Sequence, residues 1–332
     1  MNTMRVERPG LLSTLQDTGR YGQQQYGVSV NGPMDEWSHR LANALVGNPE
    51  QAAVLECTLG GPRVVFSEDT LIAVCGARLP VTAGGQAIPQ DRAVLLKRGT
   101  VLDLGLRQDG ARAYLAVRGG FAPEPVLGSR STNLRAGFGG HQGRALKGGD
   151  RVALAPRRAL PMLPIERRMV QSGLPVLLAP AIDTATAPRP DTAIRVIAGP
   201  HWQAFTLAAH HSFTTQPYAA TQQSDRMGIR LKGESLSLIA PLELVSEATV
   251  FGAVQVPPDG QPIVLMADRQ SAGGYPKIGY VASADLPLLA QAMPGDALHF
   301  TLVDQAQAEA AWLAAEDRLI QIQEAAALAL QR

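Results

Sequence analysis

A chain of 332 residues with 45% apolar and 18% charged residues can bury a sizeable core, which excludes a disordered polypeptide. Its formal net charge is +1 and no basic run exceeds two residues, which excludes the electrostatic footprint of a nucleic-acid binder. No apolar stretch approaches the ~18 residues of a membrane span and the N-terminus has no apolar signal core, so a soluble cytoplasmic protein without a membrane partner is expected.

Residues 1–155 read as short strands broken by turns, among them Leu71–Val74, Ala93–Leu96 and Tyr114–Val117, with Gly76, Gly84-Gly85, Gly99 and Gly119-Gly120 between or beside them. One helix is predicted there, over Pro33–Val46. Asp35 or Ser38 serves as its cap, Trp37, Leu41, Ala44 and Leu45 form its apolar stripe, and Gly47-Asn48-Pro49 stops it. Prolines crowd residues 156–193, together with the pairs Arg157-Arg158 and Arg167-Arg168, which reads as a linker and the best domain boundary. Strand rhythm restarts over residues 194–304 at Ile194–Ile197, Leu236–Ile239, Thr249–Phe251 and Ile263–Met266. The Ala-rich tail, residues 305–332, predicts a helix over Gln305–Gln331. The halves echo one another. Each has a strand, a Gly-Gly pair and a late Gly-Asp, at Gly119-Gly120 and Gly149-Asp150, then at Gly273-Gly274 and Gly295-Asp296. Two similar β-barrels, or a turn that is simply common, account for that echo equally well.

Most nameable chemistry is missing. No GxxxxGK[ST] phosphate cradle, GxGxxG dinucleotide fingerprint, HExxH, paired CxxC or GxSxG occurs. The two cysteines, Cys57 and Cys75, lie in apolar stretches and read as core. The histidines (His39, His141, His201, His210, His211, His299) read as core or surface residues, so no metal site is expected. Of the 30 basic residues only Lys97, Lys147, Lys232 and Lys277 are lysines, which confines lysine chemistry to four positions.

Polar side chains gather instead on glycine-rich segments. The first is Gln16-Asp17-Thr18-Gly19-Arg20, followed by Asn31-Gly32-Pro33-Met34-Asp35. The second is Arg118-Gly119-Gly120 with Gly128–Thr132, which contains Arg130. The third runs from Ser224 through Asp225, Arg226, Met227 and Gly228 to Arg230, and the fourth from Asp268 through Gln270 to Tyr275. Glycine lets backbone and ligand approach closely, so such turns suit a cleft. A structural ion pair is the competing reading of each acid–arginine neighbourhood.

These segments carry a resemblance. QDTGRYGQQQYGVSVNGPMD at 16–35, LANALVGNPEQAAVLECTLGGP at 41–62, YLAVRGGF with LGSRST at 114–132, GRALKGGD at 143–150, SDRMGIRLKG at 224–233 and the long stretch at 255–296 are similar to the allophanate hydrolase subunit 2 family. That family is also called the biotin-dependent carboxyltransferase or KipA-like family. The resemblance spans about residues 5–303 with a gap in the Pro-rich stretch. It implies a mainly β fold of two cyclophilin-like β-barrel domains, here expected at 1–155 and 194–304, plus the C-terminal helix. It implies a KipI-like subunit 1 as partner. It also implies one of three activities: part of an ATP-dependent 5-oxoprolinase, the carboxyltransferase part of a urea or amide carboxylase, or a non-catalytic antagonist of a KipI-like kinase inhibitor. Standalone chains of this length most resemble the 5-oxoprolinase members. A LamB/YcsF-like third subunit, and ATP with Mg used by the complex, come with that implication.

No lysine here is flanked by methionine, so no covalently attached biotin is expected on this chain. No hydrolytic nucleophile is visible, which leaves a cleft that binds and polarises a small amide and predicts no turnover by this chain alone. Asp17, Arg20, Asp225 and Arg226 are the expected catalytic residues. Gln16, Arg118, Arg130, Ser224, Arg230, Asp268, Gln270 and Tyr275 are the expected substrate-binding residues. Arg226 or Arg230 is expected to pair with a substrate carboxylate, and Asp225, Asp17 or Asp268 to accept an amide N–H.

Overall fold

The computed structural model describes residues 2–156, 160–185 and 193–332. The protein is mainly β with a long C-terminal helix. It divides into two compact units: unit one comprises Met1–Arg20, Asn31–Thr186 and Arg318–Arg332, and unit two comprises Tyr21–Val30 and Ala187–Asp317. Among the described residues no helix is long and apolar enough to cross a membrane.

Unit one holds two six-stranded antiparallel sheets. The first orders Arg151–Ala153, Thr3–Arg8, Arg63–Phe66, Val101–Asp103, Thr82–Ala83 and Gln86–Ala87. The second orders Val176–Leu178, Val94–Leu96, Thr70–Arg78, Asp109–Val117, Val54–Thr58 and Leu12–Gln16. The second sheet is buried on both faces, which is why its central strands read as unbroken apolar runs rather than as alternation. Ile72, Val74, Ala113 and Leu115 enter one core with Met4, Val6, Leu55 and Val64. Leu71, Ala73, Cys75 and Tyr114 enter a second core on the opposite face.

Helices cover that second face. Helix α1 (Glu36–Leu45) contributes Leu41 and Leu45, α2 (Pro164–Ser172) contributes Ile165 and Met169, and the end of the C-terminal helix contributes Ile322, Ala326 and Leu330. The α1 cap is Asp35, whose Oδ1 accepts from the Ser38 N–H at 2.9 Å. Helical geometry starts at Glu36 rather than Pro33, because Asp35 must stay extended to cap it.

The expected linker is different in structure. Within residues 160–185, α2 packs into the second core and Val176–Leu178 pairs antiparallel with Val94–Leu96. Its prolines punctuate elements: Pro164 opens α2, where a missing N–H costs nothing, and Pro175 precedes the edge strand. The rest of that stretch, 157–159 and 186–192, lies outside the described residues. Residues Tyr21–Val30, expected in the first half, group with unit two, where the Ser29 hydroxyl donates to the Asp268 carbonyl at 3.4 Å.

Unit two is built on one eight-stranded sheet, ordered Ala297–Leu298, Tyr218–Ala220, Gly228–Lys232, Ile263–Leu265, Ala253–Gln255, Lys277–Val281, Ile194–Ala198 and Phe300–Leu302. The two end strands are separated in sequence by His299 alone, so the sheet must wrap round on itself into a nearly closed barrel. Phe213 of helix α3 (Leu207–Thr215) stacks on Phe300 with ring centroids 4.9 Å apart. Helix α4 (Leu286–Gln291) follows, then α5 (Gln305–Leu330), close to the predicted Gln305–Gln331. A two-stranded ribbon pairs Glu247–Ala248 with Ala272–Gly273.

The Gly-Asp echo is a shared turn. Asp150 N–H donates to the Lys147 carbonyl and its carboxylate accepts from the Lys147 N–H at 2.7 Å. Asp296 repeats both bonds with Met293, the second again at 2.7 Å. Gly149 and Gly295 sit at φ +90° and +98°, a conformation only glycine adopts cheaply. The Gly-Gly echo is not shared: Gly119 and Gly120 both have positive φ, whereas Ala272–Gly273 is a strand.

Candidate functional site

Among the described residues, each unit carries a concentration of polar side chains where the segments marked from sequence fall. In unit one the strand Leu12–Gln16 delivers Gln16 and Asp17 against the Ser129–Thr132 segment. Asp17 Oδ1 accepts from the Ser129 hydroxyl at 2.6 Å, the Ser131 hydroxyl at 2.7 Å and the Gly19 N–H at 3.0 Å, while Oδ2 accepts from the Arg130 N–H. Burial pushes this carboxyl up, but the four hydrogen bonds together outweigh it and hold it below its ordinary value. Arg20 is fully buried. Its guanidinium donates to the Asn31 side chain and the Ser131 carbonyl, and lies over the Phe138 ring at 4.8 Å. Gln16 donates to Thr14 Oγ1 at 3.0 Å and the Thr132 carbonyl at 3.4 Å.

The same region holds groups that sequence reading missed. Glu56 accepts from the Met34 N–H at 2.9 Å and the Tyr114 hydroxyl at 2.8 Å, and that hydroxyl accepts from the Asp35 N–H at 2.8 Å. His39 of α1 is 0% exposed and meets Tyr114 edge-on. Burial drives its imidazole down to about 4, although the charges of Asp17 and Glu56 pull the other way. Every one of these side chains is buried, so the cluster is a polar core under the second sheet.

In unit two the third and fourth segments come together. Arg226 Nε and Nη2 each donate to Asp268 at 3.0 Å in a bidentate fork, and the Asp268 N–H donates to the Arg226 carbonyl at 2.8 Å. Arg226 therefore pairs with Asp268, not with its neighbour Asp225. Asp225 is exposed, and its carboxylate accepts from the Met227 and Gly228 N–H groups at 2.7 and 3.2 Å, supporting its own turn. Ser224 bridges the Arg230 backbone within the same hairpin, and the Arg230 side chain is exposed.

Gln270 Nε2 donates to Gln255 Oε1 at 3.3 Å. Gln255 stands opposite Lys277 in the sheet, so both side chains leave the same face. Lys277 is 1% exposed and its ammonium donates to Glu247 Oε1 at 2.5 Å, whereas the Glu247 side chain is 48% exposed. Lys277 holds the Glu247 carboxyl below the usual glutamate range. His201 accepts the Lys277 N–H on Nδ1 at 3.1 Å, which leaves the proton of the neutral ring on Nε2, 3.9 Å from Glu247. Lys277, His201, Glu247 and Gln255 were not singled out from sequence. Lysine scarcity was the one available signal.

The remaining expected residues lie apart. Arg118 donates to the Pro161 carbonyl and to Glu166 and lines a cleft of about 520 Å³ with Glu68 and Asp69, an acidic setting that disfavours an anion. The Arg130 side chain turns to the Pro123 carbonyl. Tyr275 lines an 810 Å³ cleft in unit two with Leu236, Leu242, Leu244 and Pro257. Burial pushes the Cys57 thiol up to about 12 and the Cys75 thiol well above its ordinary value, so neither is a thiolate nucleophile at neutral pH. Among the described residues no group of three or more His, Cys, Asp or Glu is placed to hold a metal ion.

A nucleotide phosphate does not fit the helix starts. Asp35 and Glu36 occupy that of α1, Glu166 that of α2, Asp285 that of α4 and Asp304 that of α5, each a carboxylate where a phosphate needs N–H groups and positive charge. Helix α3 is capped by the Thr206 hydroxyl and has no Lys or Arg.

Comparison with known proteins gives consistent results. Residues 26–302 match the family described as "Carboxyltransferase domain, subdomain A and B". The chain is 38% identical over 297 residues to a 5-oxoprolinase subunit of Escherichia coli, covering 90% of each chain. It is 33% identical over 310 residues to urea amidolyase of Saccharomyces cerevisiae, covering 89% of this chain but 16% of that protein. The crystal structure of the K. lactis urea amidolyase superposes with a TM-score of 0.85 at 32% identity, over 96% of this chain and 20% of that one.

Proposed function

Because this chain belongs to the carboxyltransferase-domain family of subdomains A and B, we propose that it is the amide-binding subunit of an ATP-dependent 5-oxoprolinase. It would work in the cytoplasm with a KipI-like subunit and a LamB/YcsF-like third subunit, opening 5-oxo-L-proline to L-glutamate. The observation that carries this reading is the match to the E. coli subunit, 38% identical over 297 residues. The chain and the E. coli subunit match across nine-tenths of each, whereas the urea amidolyases embed the same region in a far longer polypeptide. A lactam carbonyl is a poor electrophile because resonance delocalises its nitrogen lone pair, which gives such a complex a reason to use ATP. The helix starts of this chain do not suit the nucleotide, and ATP would act at the interface with the KipI-like subunit. What this chain's residues supply is recognition of the amide on the polar face of unit two.

The test is glutamate release from 5-oxo-L-proline by the purified chain, alone and with the products of neighbouring genes. The chain alone is expected to release none, and the reconstituted complex to release it only with ATP. Robust release by the chain alone overturns the multi-subunit reading. The family description and the K. lactis structure favour a second reading, the carboxyltransferase component of a biotin-dependent urea or amide carboxylase. Biotin-dependent carboxylation of urea by the reconstituted complex, without glutamate release, selects it.

A further inference from the structure

The polar groups of unit two close a ring. Glu247 stands opposite Gly273 in the two-stranded ribbon. The Gly273 α-carbon is so near two amides that an added Cβ would lie 2.7 Å from Gln255 Nε2 and 3.2 Å from Gln270 Nε2. Gln255 is paired across the barrel sheet with Lys277, and Lys277 returns to Glu247. Two members of this ring are poised rather than satisfied. Gln255 is 2% exposed, and its Nε2 is buried with no hydrogen-bond partner among the described residues. Leaving such a donor unmet is costly, which makes it a group that gains when a ligand supplies an acceptor. Lys277, also buried, is held by a carboxylate that is half in solvent and sits on a strand of two residues.

We propose that Lys277, Gln255 and Glu247 form the recognition site for a small amide. The amide carbonyl oxygen accepts from Lys277 Nζ and Gln255 Nε2, and the amide N–H donates to Glu247, whose half-exposed side chain moves aside to admit it. An amide presents an acceptor and a donor on neighbouring atoms, which is the complement of an ammonium and a carboxamide N–H beside a carboxylate. A carboxylate would meet the two donors but be repelled by Glu247. A ketone would lack the N–H. Two cations or acceptors alone would select otherwise, so the mixed donor–acceptor set determines the ligand class. A side chain at Gly273 would press on the Gln255 and Gln270 amides. This inference rests on the amide-binding reading above for the substrate class, while the site itself rests on the ring geometry.

The test titrates the full chain with four probes, 2-pyrrolidinone, 5-oxo-L-proline, cyclopentanone and cyclopentanecarboxylate, and reads binding by ligand-observed NMR. The two lactams are expected to bind in preference to the ketone and the simple carboxylate. Lys277→Met and Gln255→Leu, both close to isosteric, should each weaken lactam binding about tenfold, the usual weight of a charged or stranded buried hydrogen bond. Glu247→Gln should narrow the preference for lactam over carboxylate, because it removes the repulsion. The same variants placed in the reconstituted complex should raise KM for 5-oxo-L-proline. Undiminished lactam binding, or unchanged KM, in folded Lys277→Met and Gln255→Leu proteins overturns the site while leaving the 5-oxoprolinase reading standing. Lysine-dependent lactam binding by a complex that releases no glutamate overturns that reading and keeps the site. Absence of lactam binding to both chain and complex overturns the site.

Discussion

The polar cluster of unit one and that of unit two use the same kinds of residue to opposite ends. Around Asp17, Arg20, Glu56 and Tyr114 every member is buried and the charged groups are knitted to backbone and hydroxyl partners. Around Lys277 a buried cation faces a half-exposed carboxylate, and a buried carboxamide N–H has no partner among the described residues. A closed network supports a fold because removing any member strands the others. An open one costs stability and is worth having where a ligand completes it. Acid, arginine and amide side chains on glycine turns thus do not by themselves mark a cleft. Whether the network closes within the chain decides what they do.

Asp17→Ala makes the hardest test of that contrast. It removes the carboxylate acceptor of two buried hydroxyls and two N–H groups. Hydrogen bonds to charged groups contribute roughly 1.5–3 kcal/mol each, so the variant is expected to lose at least about 3 kcal/mol in urea denaturation. An unchanged midpoint would break the view of unit one as a closed structural network.

Acid sensitivity is the next effect in size, and it too belongs to unit one. His39 is depressed from 6.5 to about 4 in the folded protein. The unfolded chain therefore binds a proton that the folded one refuses between those values. The stability from neutral His39 is complete above about pH 6.5 and falls as the pH drops toward 4, by roughly 3 kcal/mol in all. The depressed Asp17 adds a loss only below its ordinary value of 3.8. His39→Gln should flatten the pH dependence of the denaturation midpoint between 6.5 and 4. A slope that persists unchanged would move the acid sensitivity elsewhere.

Gly273→Ala sharpens the other side of the comparison. Its Cβ would press on the ends of two flexible amides, so the cost to stability is expected to be about 1 kcal/mol, the low end for overpacking. Lactam affinity should fall about tenfold, since the added methyl group displaces Gln255 Nε2 and one donor is lost. Circular dichroism and the thermal midpoint read the first effect, and titration reads the second. A large loss of stability with normal binding would make Gly273 a packing residue.

The amino-acid sequence by itself determined the local features. Turn-rich short strands announced a β protein, the Asp35 cap and the Gly47 stop delimited α1, and the Ala-rich tail became α5, because each signal acts within one or two turns of chain. Gly149-Asp150 and Gly295-Asp296 were legible as turns for the same reason. Of the two polar clusters, Arg226 with Asp268 and Gln16 with Asp17 were marked by residue type, although not by partner. The tertiary structure alone decided the rest. It sent Tyr21–Val30 to unit two, built Val176–Leu178 of the proline-rich stretch into a sheet, gave Arg226 to a residue 42 positions away and left Asp225 to its own turn. It also brought Lys277, Gln255 and Glu247 together through strand register, which depends on which strands pair across the barrel and leaves no mark in the spacing of any one segment.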